Sequence, residues 1–175
     1  MTKYDATIKI TVGILTVSDR SSQGLRPDGS GPALKRFDKK LNWEATEYEI
    51  VPDDQSKIQE ILEHWSDSKG LSLILTTGGT GLGPRDVTPE ATRKVLEKEL
   101  PGMGEWLRLE GLKATRTSLL SRGVCGSRGK TLILNLPGNP RGCEQSLSAV
   151  ADLIPHALAM LRGTDHEVVG IQTGI

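Results

Sequence analysis

The chain alternates short apolar runs with stretches in which apolar residues recur every three or four positions. Ile8 to Ser18 is rich in β-branched residues and apolar on both parities, the pattern of a strand covered on both faces. Trp43 to Val51 predicts a second strand, Leu71 to Thr77 a third and Thr131 to Leu136 a fourth. Helical patterns lie between them. Ser30-Gly31-Pro32 opens a helix with Ser30 or Gly31 as cap, Pro32 at the first helical position and Leu34 and Phe37 turned inward. Ile58, Ile61, Leu62 and Trp65 form one apolar stripe. Thr88-Pro89 starts a helix expected to end near Leu100, before Pro101-Gly102, and Met103 to Ala114 is expected to be helical on a weaker pattern. The last helix joins Leu147, Val150, Ala151, Ile154, Leu158 and Leu161, with a kink at Pro155.

Strands alternating with helices predict an α/β fold: three layers, α/β/α, around a mainly parallel sheet. One compact domain spans residues 1–175, with 1–7 and 164–175 expected as terminal extensions. In such sheets ligands bind beyond the carboxyl ends of the strands. Three strands end in suitable turns: Ser18-Asp19, the run Thr76-Thr77-Gly78-Gly79-Thr80-Gly81-Leu82-Gly83-Pro84-Arg85-Asp86, and Pro137-Gly138-Asn139. The second run is too rich in glycine to build a core, but it can aim several backbone N–H groups at one phosphate. It fits neither a P-loop nor a dinucleotide fingerprint, so it is a phosphate cradle of another kind or a plain turn.

Composition narrows the classes. The 22 basic and 22 acidic residues cancel, which removes the electrostatic reason to expect nucleic acid or an anionic membrane as partner. No apolar run approaches the roughly 20 residues that cross a bilayer, and the N-terminus lacks a signal-peptide core, so a soluble cytoplasmic protein is expected. Cys125 and Cys143 are too few for a disulfide framework or a four-cysteine zinc site. His64, His156 and His166 show no ligand spacing, which leaves zinc and Ser-His-Asp mechanisms unsupported.

The acids are the chemical candidates. Asp86 follows Arg85 at the end of the glycine loop, and Asp53-Asp54 precede an amphipathic helix. A loop ion pair explains Asp86 and a helix cap explains one of the other two, so an ordinary structural use stands beside each. Asp53 and Asp86, from two strand-end loops, could together hold a hydrated Mg²⁺, which takes one or two carboxylates plus phosphate oxygens. Ser121-Arg122 has surface loop as its default.

Several strings together resemble the molybdopterin adenylyltransferases, a family that comprises the bacterial enzymes and the G domains of gephyrin and its plant counterpart. They are Leu15-Thr16-Val17-Ser18-Asp19-Arg20, Asp28-Gly29-Ser30-Gly31-Pro32, Val51-Pro52-Asp53-Asp54, Thr76 to Gly81 with Arg85 to Thr92, Leu120-Ser121-Arg122, and Asn135 to Pro140. The resemblance runs from about Ile10 to Leu161, with the motifs in order. Leu82-Gly83-Pro84 fills a loop that varies in the family and carries no message about substrate detail.

The resemblance implies transfer of AMP from Mg-ATP to the terminal phosphate of molybdopterin, with release of pyrophosphate. It implies Asp53 and Asp86 as the essential, Mg²⁺-holding pair, with Asp54 as cap, and Ser121 in the catalytic set. Ser18, Asp19 and the turn with Asn135, Pro137 and Gly138 would meet the nucleotide. Thr76, Gly78, Gly79, Thr80 and Gly81 would meet the pterin or its phosphate. It also implies a homotrimer, in preference to the hexamers of related proteins, that hands its product to a molybdenum-insertion protein. The alternative is a non-catalytic molybdopterin-binding or scaffolding module, which would need the glycine loop but not both aspartates.

Overall fold

A computed structural model describes residues 9–163. The expected strand start at Ile8, both terminal extensions and His166 lie outside the described residues. Within them the strands are β1 (Thr11–Val17), β2 (Glu44–Val51), β3 (Leu73–Thr77), β4 (Lys98–Glu99), β5 (Cys125–Arg128) and β6 (Thr131–Leu136). The helices are α1 (Asp19–Ser22), α2 (Ser30–Lys40), α3 (Gln55–Glu63), α4 (Thr88–Val95), α5 (Pro101–Leu112), α6 (Pro140–Ser148) and α7 (Ile154–Leu161).

One sheet runs β2-β1-β3-β6-β5-β4. The first four strands are parallel, as expected of doubly covered apolar runs, while β5 pairs antiparallel with β6 on one side and with β4 on the other. Period two along each strand sends alternate residues to opposite layers. Ile14, Leu73, Leu75, Leu132 and Leu134 pack with Leu34, Leu107, Leu147 and Leu158, so α2, α5, α6 and α7 cover one face. Leu15, Val17, Ile74 and Ile133 pack with Ile58, Leu62, Ala91, Val95 and Trp65, so α3 and α4 cover the other. Each fully buried Leu or Ile contributes roughly 1.5–3 kcal/mol, and together they make the three-layer α/β/α fold.

β1 lies between β2 and β3, where the order of winding reverses. Such a switch point opens a crevice beyond the strands' carboxyl ends, and Ser18-Asp19 and Gly78 begin the loops on either side of it.

Four expected boundaries are corrected. Neither Ser30 nor Gly31 caps α2. Gly29 is the cap residue and makes no side-chain bond, while the Asp28 carboxylate accepts from the Ser30 and Gly31 N–H groups at 2.9 and 3.2 Å. α4 stops at Val95, not near Leu100, because the Glu97 and Leu100 N–H groups donate to the Ser127 and Cys125 carbonyls at 2.8 and 2.7 Å and recruit the segment to the sheet. Pro101 accordingly starts α5 and does not end α4. The single last helix is two: α6 ends at Ser148, and Pro155 stands in the first turn of α7, where a missing N–H costs nothing.

Asp38, on α2, is fully buried and neither carboxylate oxygen has a hydrogen-bond partner. Burial pushes its pKa up from 3.8 to about 7. The folded state therefore binds this proton more tightly than the unfolded chain. Its contribution to stability falls as pH rises from about 4 and is lowest above 7. Asp38→Asn is expected to be near neutral at pH 4 and stabilising at pH 8, by at most about 4 kcal/mol. Urea denaturation at the two pH values checks this.

Candidate active site

β1 ends where the Ser18 Oγ accepts the Ser21 N–H at 3.2 Å, which turns the chain into α1 and exposes Asp19 in its first turn. Asp19 and Asp53, at the ends of β1 and β2, are then tied reciprocally. The Asp19 N–H donates to the Asp53 carboxylate at 2.8 Å, and the Asp53 N–H donates to the Asp19 carboxylate at 3.0 Å. Arg85 reaches back from the glycine loop and donates twice to Asp19, both at 3.0 Å. The next acid along the chain is used differently, since the Asp54 carboxylate accepts the Lys57 N–H at 3.0 Å and caps α3, as expected.

The two neighbouring acids are pushed in opposite directions. The Arg85 hydrogen bond, with that of the Asp53 N–H, holds the Asp19 carboxyl below its ordinary value. Burial raises Asp53, and the charges of Asp19 and Asp86 raise it further. One Asp53 oxygen stands 3.0 Å from where a Gly79 side chain would begin, so that glycine leaves the carboxylate room. Asp86 curls into its own loop, accepting the Gly83 N–H at 2.7 Å.

An apolar-floored cleft of about 570 Å³ opens on the other side of the glycine loop. Thr80, Gly81, Ser121, Asn135, Pro137 and Gly138 are all on its wall. Its charged lining consists of Arg108 and Arg141, with no acid. A smaller hollow of about 80 Å³ lies at the end of β1, bordered by Ser18, Arg26, Asp28, Thr77, Gly78 and Gly138. Gly138 belongs to both, and a side chain there would start 3.0 Å from the Gly78 Cα. Two spaces, one with a cationic wall and one bordered by Arg26 and Asp28, thus meet across a ridge made of glycine backbone.

The match to known proteins follows this geometry. Residues 13–156 fit the family model described as probable molybdopterin binding domain. The chain belongs to this family. It is 42% identical over 161 residues to the molybdopterin adenylyltransferase of Helicobacter pylori strain J99, covering 91% of this chain and 92% of that one. It is 44% identical to the molybdenum cofactor synthesis protein cinnamon of Drosophila melanogaster over 92% of its own length, but spans only 28% of that longer protein. The crystal structure of the molybdopterin biosynthesis enzyme MoaB from Thermus thermophilus superposes with a TM-score of 0.83 at 51% identity, covering 88% of this chain and 97% of the other.

Not every expected site residue of this molybdopterin-binding-family domain reaches open space. Thr76 and Asn135 sit side by side on β3 and β6. The Asn135 amide donates to the Thr76 and Thr92 hydroxyls, each at 2.9 Å, and its carbonyl accepts the Val124 N–H at 3.2 Å. Thr76 is wholly buried and Asn135 nearly so. Their side chains are thus engaged in the scaffold under the turn, while Asn135 also borders the larger cleft. Ser121 stays half-buried on the cleft wall, where its Oγ accepts the Gly123 N–H at 3.3 Å. Sequence reasoning missed Arg108 and Arg141. Arg108 lies on the weakly patterned α5; Arg141, directly after the Pro-Gly-Asn-Pro turn, carried the one usable signal.

Gly78 has φ 99°, and a side chain there would collide with the Val17 carbonyl oxygen. Gly24 also has positive φ, 72°, but with nothing within 4 Å. Gly24→Ala should cost about 1 kcal/mol from backbone strain alone, and Gly78→Ala about 3 kcal/mol or more once overlap is added. Comparing the denaturation midpoints of the two variants tests whether the ridge is sterically determined.

Proposed function

We propose that this chain is a molybdopterin adenylyltransferase of molybdenum cofactor biosynthesis, moving AMP from Mg-ATP to the terminal phosphate of molybdopterin and releasing pyrophosphate. The observation that carries the reading is the pair of spaces meeting across the Gly78–Gly138 ridge, with the Asp53 and Asp86 loops beside it. The larger cleft suits a flat heterocycle with an anionic tail, since its walls are apolar apart from Arg108, Arg141 and a series of hydroxyls. The hollow with Ser18 and Gly78 suits the nucleotide. A terminal phosphate crossing the ridge from one side meets the α-phosphorus from the other. The phosphate oxygen forms the new P–O bond as the bond to pyrophosphate breaks.

Asp53 and Asp86 fit a magnesium ion, offering hard oxygen donors where acids outnumber cations. Burial and neighbouring negative charge make the Asp53 carboxylate a group that gains from a cation. Among the described residues no group of three or more metal-ligating side chains is clustered, so the remaining ligands would be water and phosphate oxygens. Bound there, the ion would supply neutralisation of charge on the transferring phosphates. The protein's own part is to orient both phosphates and exclude alternatives. Arg85 anchors Asp19, Asp19 fixes the Asp53 backbone and carboxylate, and the arginines of the cleft hold the anionic acceptor.

No helix among the described residues is long and apolar enough to cross a membrane. A cytoplasmic homotrimer that passes its product to a molybdenum-insertion protein completes the reading. The exposed Trp106, Leu109, Leu119 and Leu120 offer apolar surface for such contacts.

Asp86→Asn keeps shape and removes charge. It is expected to lower pyrophosphate release from molybdopterin and Mg-ATP by about 100-fold or more while molybdopterin binding persists. Molybdopterin binding by the unmodified protein without any pyrophosphate above a blank would leave a binding module in place of an enzyme.

A further inference from the structure

Arg122 follows Ser121, a residue of the cleft wall, and bonds to the glycine loop and to the helix that follows it. Its backbone N–H donates to the Thr80 carbonyl at 2.9 Å. Its guanidinium donates through Nε to the Gly81 carbonyl at 2.6 Å, through one terminal nitrogen to the Asp86 carbonyl at 2.7 Å, and through the other to the Glu90 carboxylate on α4. Between those points the Arg85 side chain ties the loop outward to Asp19 at 3.0 Å. Leu82 projects into solvent at 69% exposure, and the internal bonds of this stretch are the Gly83–Asp86 pair. Arg122 itself is half-buried. Burial alone would raise the Glu90 carboxyl, but the Arg122 hydrogen bond holds it below its ordinary value, so Glu90 stays charged at neutral pH and keeps the fork in place.

We propose that Arg122 is the positioning residue for Asp86: one planar fork holds both ends of the glycine loop and thereby ties the placement of the acid to the wall of the cleft. The inference rests on the adenylyl-transfer reading and deepens it. Two features set this arginine apart from a generic surface ion pair. It grips the main chain of Asp86 itself, and it bridges carbonyls five residues apart, which a lysine ammonium, a point donor on a flexible stem, does not reproduce. The same residue leads into the cleft through Ser121 and Thr80, so an acceptor that shifts this wall shifts the loop with it.

The test compares wild type, Arg122→Ala and Arg122→Lys in three measurements: steady-state pyrophosphate release, amide hydrogen exchange and thermal melting. Arg122→Ala is expected to lose about 100-fold in kcat with little change in either KM, the signature of an interaction that acts in the transition state. Arg122→Lys should resemble it, and millimolar guanidinium should restore part of the kcat of Arg122→Ala. The amides of Gly81 to Asp86 should exchange faster in both variants while those of β1 and β3 keep their protection. A folded Arg122→Ala with wild-type kcat would overturn the inference. So would a loss that guanidinium leaves untouched and that accompanies faster exchange throughout the sheet, since that is the mark of a merely structural arginine. If wild type releases no pyrophosphate, the enzymatic reading fails on its own. Unchanged exchange at Gly81 to Asp86 would then still overturn the role given to Arg122.

Discussion

The Gly78 N–H donates to the Leu136 carbonyl at 3.3 Å, and the Thr77 hydroxyl donates to the Pro137 carbonyl at 2.7 Å, so the turns after β3 and β6 are joined directly to one another. The contact leaves no room for a side chain at Gly138, which would crowd the Gly78 Cα, and β1 leaves none at Gly78, which would meet the Val17 carbonyl oxygen. The contact also requires a support that cannot shift, which the buried Thr76–Asn135–Thr92 group supplies beneath it. Buried polar groups are expensive to leave unpaired, so such a network has one arrangement and not several. The ridge between the two spaces inherits that uniqueness. Without it the larger cleft and the smaller hollow would no longer be separate.

Charge is organised on the same scale. The whole chain is neutral, with 22 charges of each sign, yet the site is sharply polar. Asp19, Asp53 and Asp86 gather on one side with Arg85 paired to Asp19, while Arg108 and Arg141 line the other side with no acid among the lining residues. Net charge governs long-range steering; local excess governs what binds. Asp19 and Asp53 are accordingly pushed apart, the first held down by the Arg85 hydrogen bond and the second raised by burial.

Much of this was legible in the sequence where a residue's neighbours in the chain determine its fate. The strand at Thr131 to Leu136 has the expected bounds, and Asp54 caps its helix, because apolar period and local capping are short-range effects. The apolar runs before them placed the glycine loop and the Pro-Asp-Asp motif correctly at the ends of β3 and β2. What escaped is long-range. β5, Cys125-Gly126-Ser127-Arg128, carries no apolar run, and its pairing with Thr131 to Leu134 on one side and with β4 on the other makes it a strand. Thr76 and Asn135 read as polar groups available to a ligand, but 59 residues of separation hid the fact that each is the other's partner. Arg122 read as surface loop for the same reason: its carbonyl partners lie 41 and 36 residues away.

Asp28 shows why spacing alone could not sort the acids. Its carboxylate accepts from the Thr16 hydroxyl at 2.6 Å, the Tyr48 hydroxyl at 2.7 Å, the Ser30 N–H and hydroxyl at 2.9 and 3.0 Å, and the Gly31 N–H at 3.2 Å. Burial would raise this acid, but those donors outweigh it and hold the carboxyl below its ordinary value. In return, burial and the Asp28 bond push the Tyr48 phenol up to about 12. Asp28 is therefore permanently ionised and Tyr48 permanently protonated near neutral pH, and they weld β1, β2 and the start of α2 into the back wall of the small hollow. A carboxylate with its lone pairs filled in this way has no capacity left for a metal. Asp53, by contrast, receives one N–H on one oxygen and turns the other toward Gly79. The same residue type, at the edge of the same crevice, is scaffold when its acceptors are saturated and chemically available when they are not.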